Sequence, residues 1–132
     1  MREQTRILIV SNSRTEAAHY KAILAGMEAE ACAVNNSSDA IRLFNARFAR
    51  KQPFDLVIAS YLLSGKMTGP SLVKIFLNVY PPLKIMFFPS AELYDRETNM
   101  ECREIAASII MPDFSTAGLR RIVDRVRKEI EI

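Results

Sequence analysis

Asp55 to Gly69 reads DLVIASYLLSGKMTG: an unbroken apolar run, LVIA, ends at Ser60 and gives way to a loop containing Gly65, then to the start of an amphipathic stretch at Gly69-Pro70. A run that is apolar on successive residues predicts a strand buried on both faces, the kind found in parallel sheets covered by helices. In such sheets ligands and catalytic groups collect at the carboxyl ends of the strands. That position here is a serine. The stretch therefore poses a choice between a site with hydroxyl chemistry of its own and a site from which an acid has been lost.

Working outward, the same alternation recurs along the chain. RILIVS (Arg6 to Ser11) predicts a first buried strand, followed by a helix over Arg14 to Met27 with Ala17, Tyr20, Ile23, Leu24 and Met27 at helical spacing and Ser13 as its N-cap. EAEACAV (Glu28 to Val34) predicts a short strand suited to a sheet edge. A second helix is expected from Ser37 or Ser38 to about Arg50, capped by Ser38 and burying Ala40, Ile41, Phe44 and Phe48. FDLVIAS is the third strand. Pro70 fits a first helical turn, and Leu72, Val73, Phe76, Val79 and Tyr80 make the stripe of a third helix that Pro81-Pro82 ends.

LKIMFF (Leu83 to Phe88) predicts a fourth strand, Ala91 to Ala106 a weakly periodic helix, and ASIIM (Ala107 to Met111) a fifth strand. Leu119, Ile122, Val123, Val126 and Ile130 form the clearest stripe, that of a last helix from about Ser115. The expectation is a (βα)₅ arrangement occupying residues 1–132 as one domain, with a parallel sheet between two helical layers. The loops after strands one, three, four and five then bring Ser11-Asn12-Ser13, Ser60, Pro89-Ser90 and Met111-Pro112 to one edge.

The bulk numbers agree with one ordinary globular domain: 132 residues, 49% hydrophobic and 25% charged. No apolar run approaches the roughly 20 residues needed to cross a bilayer, so no membrane role and a cytoplasmic location are expected. Cys32 and Cys102 have no CxxC spacing, and His19 is the one histidine, which argues against structural zinc. The net charge of +3 comes from positive residues spread along the chain, which permits an acidic partner without demanding nucleic acid.

From Arg6 to Ile130 the chain resembles the receiver domain of two-component response regulators, the CheY-like family. The resemblance rests on RILIV followed by a polar pair, on DLVIASYLLSGKMTG, on YPPLKIMFFPS and on the Met-Pro that closes ASIIMP. It implies a flavodoxin-like three-layer sandwich with strand order 2-1-3-4-5, and membership of a phosphorelay signalling system. It also implies two acids after strand one to hold magnesium, an aspartate ending strand three to take the phosphoryl group, a Thr or Ser ending strand four, and a Lys before the strand-five proline. The matching positions are Ser11 and Asn12, Ser60, Pro89 and Met111, and every one departs from the pattern. The family's aromatic on strand five corresponds to Ser108, and its cis proline to Pro112.

Magnesium is a hard cation that wants carboxylates and water, so hydroxyls and an amide leave it too little charge. Phosphoryl transfer depends on positioning and on neutralising the transferred group, the tasks of the missing metal and lysine. Asp55 cannot stand in, because five residues at roughly 3.3 Å each put it about 16 Å away. Neither His19 nor an acid is placed beside Ser60 by sequence, which leaves its hydroxyl a weak nucleophile. The expected function is thus that of a degenerate pseudo-receiver: no enzyme, no magnesium or other cofactor, and signalling through protein–protein contacts.

The alternative is a small-ligand or anion-binding module using Ser11, Asn12, Ser13, Arg14, Ser60 and Ser90, since neutral hydroxyls and amides at a helix N-terminus can hold an anion without metal. Against it, the SNSRT loop has no glycine and nothing resembles GxGxxG. Arg121, Arg125 and Lys128, spaced by four and three on the last helix, are the candidate partner surface, for another signalling protein or for a homodimer through that helix. Aromatic residues do not interleave with these basic ones, which argues against nucleic acid.

Overall fold

The computed structural model describes residues 4–63, 67–88, 100, 104 and 115–131. Its elements are β1 (Thr5–Val10), α1 (Arg14–Ala25), β2 (Ala29–Val34), α2 (Ser37–Ala49), β3 (Leu56–Ala59), α3 (Gly69–Val79), β4 (Lys84–Phe87) and α4 (Thr116–Glu131). The four strands among the described residues form a parallel sheet in the order β2-β1-β3-β4. The expected fifth strand and Pro112 lie outside the described residues, as does the Ala91 to Ala106 helix apart from Met100 and Glu104.

Alternation along each strand divides the core in two. Leu8, Val10, Val57, Ala59, Ile85 and Phe87 point to one face, under Ala40 and Phe44 of α2 and Leu72, Val73 and Phe76 of α3. Ile7, Ile9, Leu56, Ile58 and Met86 point to the other, under Ala17 and Leu24 of α1 and Leu119 and Val123 of α4. The rings of Phe44 and Phe76 stack with centroids 4.2 Å apart, which locks α2 to α3 above the sheet. β1, β3 and β4 are covered on both faces, as their continuous apolar runs anticipate.

Two sequence expectations need correction. The cap of α2 is Asn36 and not Ser38: Asn36 has extended backbone, and its Oδ1 accepts from the Asp39 N–H at 2.8 Å, whereas Ser37 and Ser38 already lie in the first turn. Phe48 and Val79 are not core residues, being 40% and 39% exposed. The cause is length, since a 13-residue helix runs about 20 Å while a four-residue strand runs about 13 Å, so the helix ends overhang the sheet. Phe48 instead meets the ring of Tyr80 edge-on, at 6.1 Å.

β2 is an edge strand, as expected, and its side chains after Ala29 are half-buried. On its α2 side, Arg47 pairs with Glu30, donates to Cys32 Sγ at 3.4 Å and lies 5.3 Å above the Phe54 ring. The hydrogen bond to Glu30 leads the influences that raise the Arg47 guanidinium pKa above its ordinary value. Lys51 adopts φ 60° just past the end of α2, where its neighbour Gln52 donates to the Arg47 carbonyl at 2.9 Å.

Candidate functional site

The strand ladders run one residue past β1, β3 and β4, and this continuation builds the carboxyl rim. Ser11 N–H donates to the Val34 carbonyl at 3.2 Å, Ser60 N–H to the Val10 carbonyl at 2.9 Å, and Phe88 N–H to the Ala59 carbonyl at 2.9 Å. Because Val10 pairs with Ala59, the next residues on the two strands, Ser11 and Ser60, stand side by side. Both are buried, Ser11 completely and Ser60 to 7% exposure.

Their hydroxyls form a directed relay. Ser60 Oγ donates to Ser11 Oγ at 3.3 Å, and Ser11 Oγ donates to Glu16 Oε1 at 2.9 Å. Ser11 Oγ also accepts from the Ser13 N–H at 3.1 Å, while Ser13 Oγ accepts from the Glu16 N–H at 3.2 Å as the N-cap of α1. Ser13 and Glu16 are thus the two ends of a capping box, S-x-x-E. In the ordinary form the glutamate takes the cap residue's own N–H; here Ser11 is inserted between them and serves both.

The sequence places neither His19 nor an acid beside Ser60, and in the structure Glu16 meets Ser60 only through the intervening Ser11 hydroxyl. Its signal was legible in Ser13-x-x-Glu16, whose glutamate must fold back over the loop preceding α1. The chemistry this permits is modest. A carboxylate that contacts a serine only through a second hydroxyl is a poor general base, and the Ser60 proton is already committed to Ser11.

Of the other rim residues, Asn12 and Arg14 are exposed and stand outside the relay. With the Asn35 amide turned to satisfy its neighbours, its oxygen accepts from Arg14 Nε at 2.9 Å and Nη2 at 3.2 Å, which draws Arg14 sideways toward β2. Pro89, Ser90 and Met111 lie outside the described residues. His19 is exposed on α1 with its ring 5.0 Å from that of Tyr20. Asp55 sits at the opposite end of β3, where its Oδ2 accepts from the Arg6 N–H at 2.8 Å, in accord with the strand-length argument.

Gly69 shapes the far wall of the site. Its N–H donates to the Tyr61 carbonyl at 2.7 Å, and a Cβ on it would lie 2.1 Å from the Ser60 carbonyl oxygen. Only a residue without a side chain lets α3 begin so close to the end of β3. Thr68 caps the helix by accepting from the Ser71 N–H at 3.3 Å.

Among the described residues no group of three or more His, Cys, Asp or Glu side chains is arranged to hold a metal ion. Arg121, Arg125 and Lys128 are exposed on α4, with Arg125 Nε 4.0 Å from Glu129 and Glu129 also 3.1 Å from Lys84. No described helix is long and apolar enough to cross a membrane.

No family model and no curated protein matches the sequence. Solved structures do match the fold. A response regulator receiver domain from Clostridium thermocellum is similar over 97% of this chain and 99% of its own, with TM-score 0.78 and 16% identity. The receiver domain of a signal transduction histidine kinase from Syntrophus aciditrophicus matches over 96% and 92%, with TM-score 0.72 and 24% identity. A chemotaxis response regulator of Vibrio cholerae matches over 93% and 98%, with TM-score 0.68 and 20% identity. At these identities the likeness establishes the fold, that of a receiver domain.

Proposed function

We propose that this chain is a signalling module that keeps the receiver fold, works through protein–protein contacts and does not undergo aspartyl phosphorylation. The observation that carries this reading is the Ser60–Ser11–Glu16 relay. The two strand ends where the resemblance calls for carboxylates carry hydroxyls, and those hydroxyls are directed at each other and at the first turn of α1. Among the described residues the carboxylate that reaches the two hydroxyls is Glu16, and it is engaged by Ser11, so a divalent cation there would have to break the relay to gain it as a ligand. Without the cation and without an aspartate, phosphoryl transfer lacks both acceptor and charge neutralisation.

The same geometry weighs against an anion-binding rim. An anion placed over Ser60 would find the Ser60 and Ser11 protons already donated and the Glu16 carboxylate close by. The fold does support a partner surface on α4, where Arg121, Arg125 and Lys128 are exposed above the buried Leu119, Val123 and Val126. An acidic patch on another signalling protein, or the acidic residues of a second copy's α4, would complement it.

The test is incubation with acetyl phosphate and magnesium followed by intact mass measurement, with a parallel magnesium titration by calorimetry. No labile phosphoryl adduct and no saturable heat are expected. A stoichiometric adduct, or magnesium binding that is lost in Glu16→Gln, overturns the reading.

A further inference from the structure

We propose that the outer edge of β2, together with the cleft beside it, docks an extended acidic segment of a partner protein as an added strand. This extends the protein-contact reading above to a surface separate from α4. Among the described residues β2 pairs only with β1. Because the Val34 carbonyl is turned inward to accept from Ser11, strand alternation also turns the backbone groups of Cys32 and Glu30 inward and those of Ala29, Ala31 and Ala33 outward. Ala29 is buried, so the open donors and acceptors are those of the half-buried Ala31 and Ala33.

Exposed edges are ordinarily protected by lysine, proline, bulges or a covering element. The β2 sequence AEACAV has none of these residues and one charge, Glu30, whose carboxylate is taken up by Arg47. The edge is therefore built to accept a strand.

Charge then selects the kind of strand. A cleft of about 350 Å³ opens beside the carboxyl half of β2, between it and the α1 face carrying Arg14, Ala17, Ala18 and Lys21. These four positions share one helix face, and the two alanines keep its floor low. Arg14 is met by the neutral oxygen of Asn35, and Lys21 forms no ion pair among the described residues. Asp39, the acid on the rim, is already engaged by Asn36 Nδ2 at 2.9 Å and by Arg42 at 3.7 Å. The surplus is positive. Arg14 and Lys21 are seven residues apart, about 10 Å along the helix, a span that about three residues of an added strand would cover. Acidic side chains on alternate residues of that strand would project over the alanine floor toward both cations. A second copy would instead bring an identical positive cleft on a chain of net charge +3, which disfavours a β2–β2 homodimer.

A fluorescein-labelled peptide of alternating glutamate and valine, followed by anisotropy, tests this directly. The wild-type chain is expected to bind it and to ignore the lysine–valine counterpart. Arg14→Glu/Lys21→Glu, two exposed helix positions, should weaken binding by roughly tenfold with the circular dichroism unchanged. N-methylation of one alternating set of peptide amides should abolish binding while the other set is tolerated, and the Ala31 and Ala33 amides should exchange more slowly in the complex. Undiminished binding to the charge-reversed variant, unprotected Ala31 and Ala33 amides, no binding by wild type, or self-association through β2 would each overturn the proposal. The phosphorylation test above does not involve these residues, so the two readings can fail separately.

Discussion

β3 carries a polar residue just outside each end, and the two ends are used differently. At the amino end Asp55 is buried, and it clasps β1 twice: its N–H donates to the Arg6 carbonyl at 2.7 Å and its Oδ2 accepts from the Arg6 N–H at 2.8 Å. At the carboxyl end Ser60 keeps the backbone bond to Val10 but offers only a 3.3 Å hydroxyl contact to Ser11. A carboxylate thus stands where it closes a backbone ladder, and a hydroxyl stands at the other end of the same strand. The difference teaches that the two ends of one strand are fastened differently, by a buried carboxylate on a neighbouring backbone at one end and by a chain of hydroxyls at the other.

The largest effect should come from breaking the carboxyl end sterically. In Gly69→Ala the new methyl would collide with the Ser60 carbonyl oxygen, which is backbone and cannot swing aside. A loss of at least about 3 kcal/mol in urea unfolding is expected, within the range reserved for overpacking at special backbone positions. A loss below about 1 kcal/mol would mean that the β3–α3 turn is more yielding than its geometry implies.

Next is the amino end. Asp55→Ala leaves the Arg6 N–H without its carboxylate partner in a buried setting, at a cost of about 2 kcal/mol. Asp55→Asn keeps an acceptor of the same shape and should recover about half of that. Equal losses for the two variants would show that charge, and not the hydrogen bond, is what the amino end uses.

Most of the fold was legible because it depends on apolar periodicity, and the periodicity is strong. LVIA, RILIV and KIMF could be buried on both faces only in a parallel sheet, and Ser13 was readable as a cap from its place before Arg14. What escaped was set by distances that a sequence does not state. Phe48 and Val79 looked like core because helical spacing continues to the helix end, while the sheet beneath them has already stopped. Ser38 looked like a cap because four good capping residues, Asn35 to Ser38, stand in a row, and only the extended backbone of Asn36 decides among them. At the rim the polar residues Ser11, Asn12 and Ser60 could be read one by one. Their joint arrangement with Glu16 could not, since it needs β1 and β3 to be neighbours in register.

Within the carboxyl end, Ser11 and Ser60 should not be equivalent. Ser11 Oγ has three partners, so Ser11→Ala strips the Ser13 N–H, the Ser60 hydroxyl and Glu16 of a contact at once and should cost about 1.5 kcal/mol. A fraying first turn of α1, seen as faster hydrogen exchange there than in α3, should accompany it.

The smallest effect belongs to Ser60, although its position is the one the family resemblance singles out. Ser60→Ala removes one long hydroxyl contact and leaves Ser11 with Glu16 and the Ser13 N–H still satisfied, so about 0.5 kcal/mol is expected. The double variant with Ser11→Ala should then cost little more than Ser11→Ala alone, because the shared bond is already gone, giving a coupling of about 0.5 kcal/mol in a double-mutant cycle. A Ser60→Ala loss as large as that of Ser11→Ala would place the centre of the relay at β3 instead of β1. It would also make Ser60 a residue held for more than filling the end of a strand, which is the outcome that would most strain the contrast between the two ends.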